Sequence, residues 1–144
     1  MWIRKVKTLF VLPLKVKLLF IKTLMLFFVV EITLRFLPFK RVMNWLGSTV
    51  ALKTSTVTTE LPEEIQAVKS MIRSLSRYLP FVKCYNKALT ARILLRNKGY
   101  ASTLYIGFKK EKEQLKGHAW LVFQDQLITG GAVYQEYKVT AFFP

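Results

Sequence analysis

The hydrophobic period changes once along the second half of the chain, and this change limits the folds open to it. Apolar residues recur at helical spacing from about residue 62 to 96, with Pro62, Pro80 and Gly99 at the helix boundaries. From Tyr100 onward the period becomes that of strands, interrupted by short turns. Helices followed by antiparallel strands predict an α+β fold in which a helical layer packs on a small sheet.

The predicted elements follow from these signals. One helix should start at Pro62 and run to about Tyr78, and the next should span about Lys83 to Arg96. We expect strands in four segments, with a charged loop at 109–117 and a turn at Gln124–Gln126. The expected strands are Tyr100–Phe108, His118–Phe123, Leu127–Thr129 and Tyr137–Phe143.

Residues 1–47 form a separate, basic and strongly apolar extension. Leu18–Val30 is apolar around the whole helical wheel, which predicts a helix that is buried, docked on a partner, laid on a membrane surface or, least easily, spanning one. Pro38 should end it, and Phe39–Leu46 should form a short second helix. We therefore divide the chain into an extension at 1–47, a Ser/Thr-rich linker at 48–60 and a domain at 61–144.

The composition narrows the function classes. The net charge of +15 predicts an anionic partner, but no nucleic-acid-binding module is recognisable. A single cysteine cannot form an intrachain disulfide, and one cysteine with one histidine is too few for a typical structural zinc site. No small-residue cleavage site follows the apolar run, which argues against a signal peptide. We expect a cytoplasmic protein, peripheral to a membrane at most, and no metal or organic cofactor.

That cysteine and that histidine occupy positions that suit catalysis. Cys84 lies at the start of the helix predicted at about Lys83 to Arg96, where free N–H groups and the helix dipole favour a thiolate. His118 opens a predicted strand and carries an imidazole that can act as the base. The simpler interpretations, a small buried cysteine and a structural histidine, apply to each residue taken alone.

Short segments around the cysteine and the histidine carry a family resemblance: Leu79-Pro80, Cys84 with Ala88 and Leu89, Leu94–Arg96, Gly99, Leu104–Gly107 and His118–Trp120. In this order they resemble the transglutaminase-like cysteine protease fold, a transglutaminase- or papain-like core. More narrowly, they are similar to the peptidase half of the lasso peptide B proteins, which remove the leader from a precursor peptide before a partner cyclase closes the ring.

The resemblance implies a nucleophile helix packed on the sheet, with Cys84 and His118 catalytic. The family's third, acidic residue follows the histidine by about a dozen positions, where this chain has Thr129-Gly130-Gly131. Asp125, a backbone carbonyl or no group at all remain open for that role. Family members with a leader-recognition domain carry it upstream, and residues 1–60 are too short for one. A separate recognition protein, the precursor and an asparagine-synthetase-like cyclase that uses ATP are the implied partners.

Two functions from different classes follow. The first is a thiol peptidase that cleaves a ribosomal precursor between leader and core. The second is a non-enzymatic, basic, membrane-associated interaction protein. Reactivity of the Cys84 thiol separates them, because only the peptidase needs an activated nucleophile.

Overall fold

A computed structural model describes residues 11–46 and 60–144, with the side chains of residues 45 and 46 left undescribed. Four helices precede a sheet in the described residues: α1 (Leu14–Phe36), α2 (Phe39–Leu46), α3 (Glu63–Ser76) and α4 (Cys84–Asn97). The strands are β1 (Thr103–Glu111), β2 (Gln114–Phe123), β3 (Gln126–Thr129) and β4 (Lys138–Phe143), with a 3₁₀ turn at Ala132–Glu136. The predicted α+β class is confirmed.

Proline and glycine set the helix boundaries as expected. Leu37 is extended, at φ −114° and ψ 141°, because a residue before proline avoids the helical region, and α1 ends there. Pro62 precedes α3, whose first turn holds Glu63 and Glu64 next to the positive end of the helix dipole. Gly99, at φ 85°, closes α4 by donating its N–H to the Arg96 carbonyl.

The four strands form one antiparallel sheet in the order β3-β2-β1-β4. Strands β1 and β2 form a hairpin closed by a two-residue turn at Lys112 and Glu113, with Lys112 at φ 55°. The predicted loop at 109–117 is therefore wrong, since most of it is strand. Its side chains are largely exposed on both faces, so the segment lacks the alternation that identifies a half-buried strand.

Helix α4 lies at the centre of the core. Leu89 and Leu95 on this helix and Leu104 and Leu121 on the sheet are at most 1% exposed. Helix α3 adds Ile65, Val68, Ile72 and Leu75 to the same cluster. The helical layer thus packs on one face of the sheet, and it holds the start of α4 against the middle of β2.

Helix α1 belongs to this core as well. Phe27 is fully buried, and the Asn86 side chain of α4 donates to the Phe27 carbonyl at 3.0 Å and to the Glu31 carboxylate at 3.2 Å. None of the described helices is long and apolar enough to cross a membrane. The division of the chain at residues 47 and 60 stays a prediction, because the proposed linker falls almost wholly outside the described residues.

The last strand is held by a buried cation. Arg92, in α4, is 5% exposed, and its guanidinium donates to the main-chain oxygens of Phe143 and Pro144. Burial lowers the Arg92 pKa, and the nearby charge of Arg96 lowers it further. An arginine remains protonated despite such a shift, so β4 is fixed to α4 by charge-assisted hydrogen bonds.

Candidate active site

Cys84 and His118 line one cavity of about 500 Å³. Helix α4 carries Cys84 as its first residue, and the preceding Lys83 is extended and provides no side-chain cap. The first N–H groups of the helix therefore have no capping side chain, and they point toward the end where the thiol lies. The thiol is partly exposed and free of any disulfide. The structure thus brings together the two residues that the sequence predicts as nucleophile and base.

The imidazole is held by the main chain. His118 Nε2 lies 2.8 Å from the Gly130 carbonyl oxygen, twelve residues further along the chain. A carbonyl oxygen can only accept a hydrogen bond, so Nε2 must carry the proton. In the neutral ring Nδ1 then has the lone pair that a general base requires.

Gly130 stands where the resemblance implies an acidic residue, and the backbone explains why no side chain is there. Gly130 has φ 119°, which L-residues rarely adopt. A Cβ built on Gly130 would lie 2.3 Å from the Trp120 Cβ and 3.5 Å from His118 Nε2. Of the three options left open by the sequence, the one present in the structure is a backbone carbonyl.

Asp125 does not reach the histidine. It lies in the turn between β2 and β3, at φ 63°, and it is not among the residues lining the cavity. The six residues from His118 to Phe123 extend about 16 Å along a strand, and Asp125 lies beyond that end. The proposed third catalytic residue is thus not brought to His118, because the tight turn points the chain away before β3 returns.

Aromatic rings pack against the imidazole. Tyr137 stacks on His118 with ring centroids 4.8 Å apart, and Trp120 lies at 6.0 Å with a near-parallel ring. Gly107, across the hairpin, leaves room for Trp120, since a Cβ there would come within 2.9 Å of the indole. Tyr137 was not identified from the sequence, because only the fold brings the segment before β4 next to β2.

Tyr85 follows Cys84 in α4, and its side chain reaches the sheet. A Cβ added at Gly117 would lie 2.9 Å from the Tyr85 hydroxyl, so this glycine allows the tyrosine to approach β2. Burial raises the pKa of the Tyr85 phenol, and the neighbouring Cys84 adds to the rise. On its other side Tyr85 lines a second, apolar cavity of about 710 Å³, together with Phe39, Ile106 and Phe143.

Across residues 11–46 and 60–144, no three His, Cys, Asp or Glu side chains form a group that could hold a metal ion. The donor set at the candidate site is one thiol and one imidazole whose Nε2 is already bound to Gly130. Such a pair suits acyl transfer through a covalent thioester.

One comparison with known proteins identifies a family for this chain. No curated protein and no solved structure matches the chain significantly. A family model described as the transglutaminase-like superfamily matches residues 31–141, from within α1 to within β4. This superfamily includes cysteine peptidases. With most of its length matched and its helix–sheet core in place, the chain belongs to the transglutaminase-like superfamily.

Proposed function

We propose that this protein is a cysteine peptidase that cleaves a ribosomal precursor peptide between leader and core, as in lasso peptide maturation. The observation that carries the proposal is the shared cavity of Cys84 and His118, with the imidazole tautomer set by Gly130. The motif resemblance around these residues supplies the substrate class. The precursor, a separate leader-recognition protein and an ATP-using cyclase belong to the same proposal.

The reaction follows from the two side chains. His118 Nδ1 takes the proton of Cys84, and the sulfur attacks the carbonyl carbon of the peptide bond that joins leader and core. The amide bond breaks, the protonated His118 gives its proton to the leaving amine, and an acyl-enzyme remains on Cys84. Water then attacks this thioester, with His118 again as the base, and regenerates the thiol. Gly130 accepts from Nε2–H throughout and stabilises the imidazolium.

The start of α4 contributes electrostatically. The tetrahedral intermediate carries an oxyanion beside Cys84, and the uncapped N–H groups of the first helical turn are donors of the kind that stabilise such charge. Removal of one such donor typically costs about 10²–10³-fold in kcat.

The test uses the full chain with the precursor peptide and the recognition protein expected to be encoded beside it. Mass spectrometry should detect separated leader and core with the wild-type protein and none with Cys84→Ala, since loss of a covalent nucleophile costs more than ~10³-fold. Circular dichroism should show both proteins folded. Cleavage by the alanine variant at the wild-type rate would rule out thiol catalysis.

A further inference from the structure

Among the described residues that line the cavity at Cys84, three are cations and none is a carboxylate. Lys69 and Arg73 extend from one face of α3, four residues apart, and Lys87 lies one turn after Cys84 on α4. Lys69 donates to the Leu127 carbonyl at 2.8 Å and is thereby held at the cavity wall. Neither Arg73 nor Lys87 forms an ion pair with any residue in the described part of the chain.

A buried hydroxyl lines the same cavity. Thr129 is 8% exposed, and its Oγ1 has no hydrogen-bond partner within the described residues. A buried polar group without a partner is unfavourable unless a ligand or water satisfies it. Thr129 directly precedes Gly130, so this hydroxyl lies next to the group that orients His118.

We propose that this cavity binds a carboxylate of the substrate close to the scissile bond, which makes Arg73 and Lys87 specificity-determining residues. The inference rests on the proposed peptidase function for its biological meaning. The expected attraction of anions to the cavity does not depend on that function. An anion should reach Cys84 more readily than a neutral molecule of the same size.

Cys84 is the only cysteine in the chain, so its rate of alkylation measures the electrostatic effect of the cavity at one sulfur atom. Iodoacetate and iodoacetamide differ chiefly in charge. In both reactions the sulfur displaces iodide, a carbon–sulfur bond forms and the thiol proton passes to the buffer. The ratio of the two rates, measured by intact mass and divided by the same ratio for glutathione, isolates the effect of the cavity.

We expect this normalised ratio to be about tenfold at low salt and to fall toward one at about 1 M salt. Arg73→Gln and Lys87→Gln should each lower it severalfold. Lys110→Gln, on the exposed end of β1, removes the same charge elsewhere and should leave it unchanged. A normalised ratio near one at low salt, or equal responses to Arg73→Gln and Lys110→Gln, overturns the proposal whether or not the precursor is cleaved.

A second inference rests on the outer face of α1. The helix buries Thr23, Phe27 and Val30 against the core, yet large apolar side chains recur at spacings of three and four on the opposite face. This apolar stripe consists of Leu14, Leu18, Ile21, Met25, Phe28, Val29, Ile32 and Phe36, each 48% exposed or more.

Basic side chains border the stripe on both sides. At about 100° per residue, Lys15 and Lys22 lie along one edge, and Lys17 and Arg35 lie along the other. Long basic side chains at the edges of an apolar face can extend to lipid headgroups while the apolar face enters the acyl boundary. The single acid of α1, Glu31, is directed to Asn86 instead.

We infer that the apolar stripe lies on an anionic lipid surface, with α1 parallel to the membrane plane and the remainder of the protein above it. Charge complementarity favours this occupant over a second copy of the chain. Two copies docked through the stripe would bring their bordering cations together.

Co-sedimentation of the full chain with vesicles tests the inference. Phosphatidylcholine vesicles containing phosphatidylserine should bind the protein at least about tenfold better than phosphatidylcholine alone, and salt should weaken the binding. Met25→Asp should abolish binding, whereas Leu115→Asp, at a similarly exposed apolar residue of β2, should not. Lys15→Gln and Lys22→Gln should each weaken it about fivefold, unlike Lys110→Gln.

Three results would overturn the inference. One is wild-type protein left in the supernatant of anionic vesicles, and another is equal loss of binding in Met25→Asp and Leu115→Asp. The third is a stable dimer in sedimentation equilibrium that Met25→Asp dissociates, which would make the apolar stripe a contact between copies. Thermal melts of all variants test whether unfolding is the cause. Met25→Asp should melt like the wild type, since Met25 is 61% exposed.

Discussion

The two halves of the candidate site are positioned in different ways. Cys84 begins a helix whose following residues, from Asn86 to Leu95, are mostly buried and packed on both α1 and the sheet. His118 lies on a strand, half-buried, and is oriented by one carbonyl oxygen and two aromatic rings. Cys84 is therefore fixed by the core of the protein, whereas His118 is fixed by a few specific contacts. A single substitution should disturb the base more selectively than the nucleophile.

The largest effect is expected from Gly130→Ala. The added Cβ meets the Trp120 Cβ, and φ 119° is strained for alanine, so the carbonyl should move away from His118. Turnover should fall by ~10²-fold or more, and stability by about 3 kcal/mol. Steady-state kinetics and urea unfolding measure both.

The neighbouring glycine provides the control. Gly131 has φ 66°, but nothing lies within 4 Å of a Cβ built there. Gly131→Ala should cost about 1 kcal/mol of stability and leave turnover nearly unchanged. Equal kinetic loss in the two variants would mean that the Gly130 carbonyl has no special role toward His118.

Asn86→Ala tests the nucleophile half. Asn86 is 1% exposed, and its amide joins Phe27, Glu31 and Thr90, so truncation leaves buried groups without partners. The free energy of unfolding should fall by about 2–3 kcal/mol. Asn97→Ala, at the exposed end of α4, should change it by less than about 0.5 kcal/mol. Equal urea-unfolding midpoints for the two variants would show that the polar contacts between α1 and α4 contribute little to stability.

Tyr137→Leu should have a smaller effect, and on the base alone. It removes the ring stacked on His118, which is worth about 1 kcal/mol, and kcat should fall severalfold with KM unchanged. Tyr137→Phe keeps the ring and should retain wild-type kcat. A loss in the phenylalanine variant would assign the effect to the hydroxyl and contradict the stacking role.

Asp125→Asn should have the smallest effect of all. Asparagine tolerates the left-handed turn conformation as aspartate does, and Asp125 lies far along the strand from His118. We expect kcat/KM within about twofold of wild type. A decrease of the size that a lost orienting acid produces, ~10⁴-fold, would restore Asp125 to the site.

The helices and most strands could be predicted because proline, glycine and buried periodicity act locally. The extension of β1 and β2 through Lys109–Gly117 could not, since its exposed charges conceal the strand period. The 3₁₀ turn at Ala132–Glu136 was also not predicted. In the site, Cys84 and His118 were recognisable as the sole residues of their types. Lys69, Arg73 and Lys87 were not, because ordinary surface lysines and arginines look the same until the packing of α3 on α4 is known.

The Gly130 carbonyl has a consequence for mutational scans. For the proposed peptidase, an alanine scan of polar side chains would register Cys84 and His118 but no side chain that orients the imidazole, since the acceptor belongs to the peptide backbone. The sensitive position would instead be a glycine, where any side chain displaces the backbone. In this protein the tolerance of position 130 to substitution reports on the orientation of the imidazole, even though the residue there has no functional group of its own.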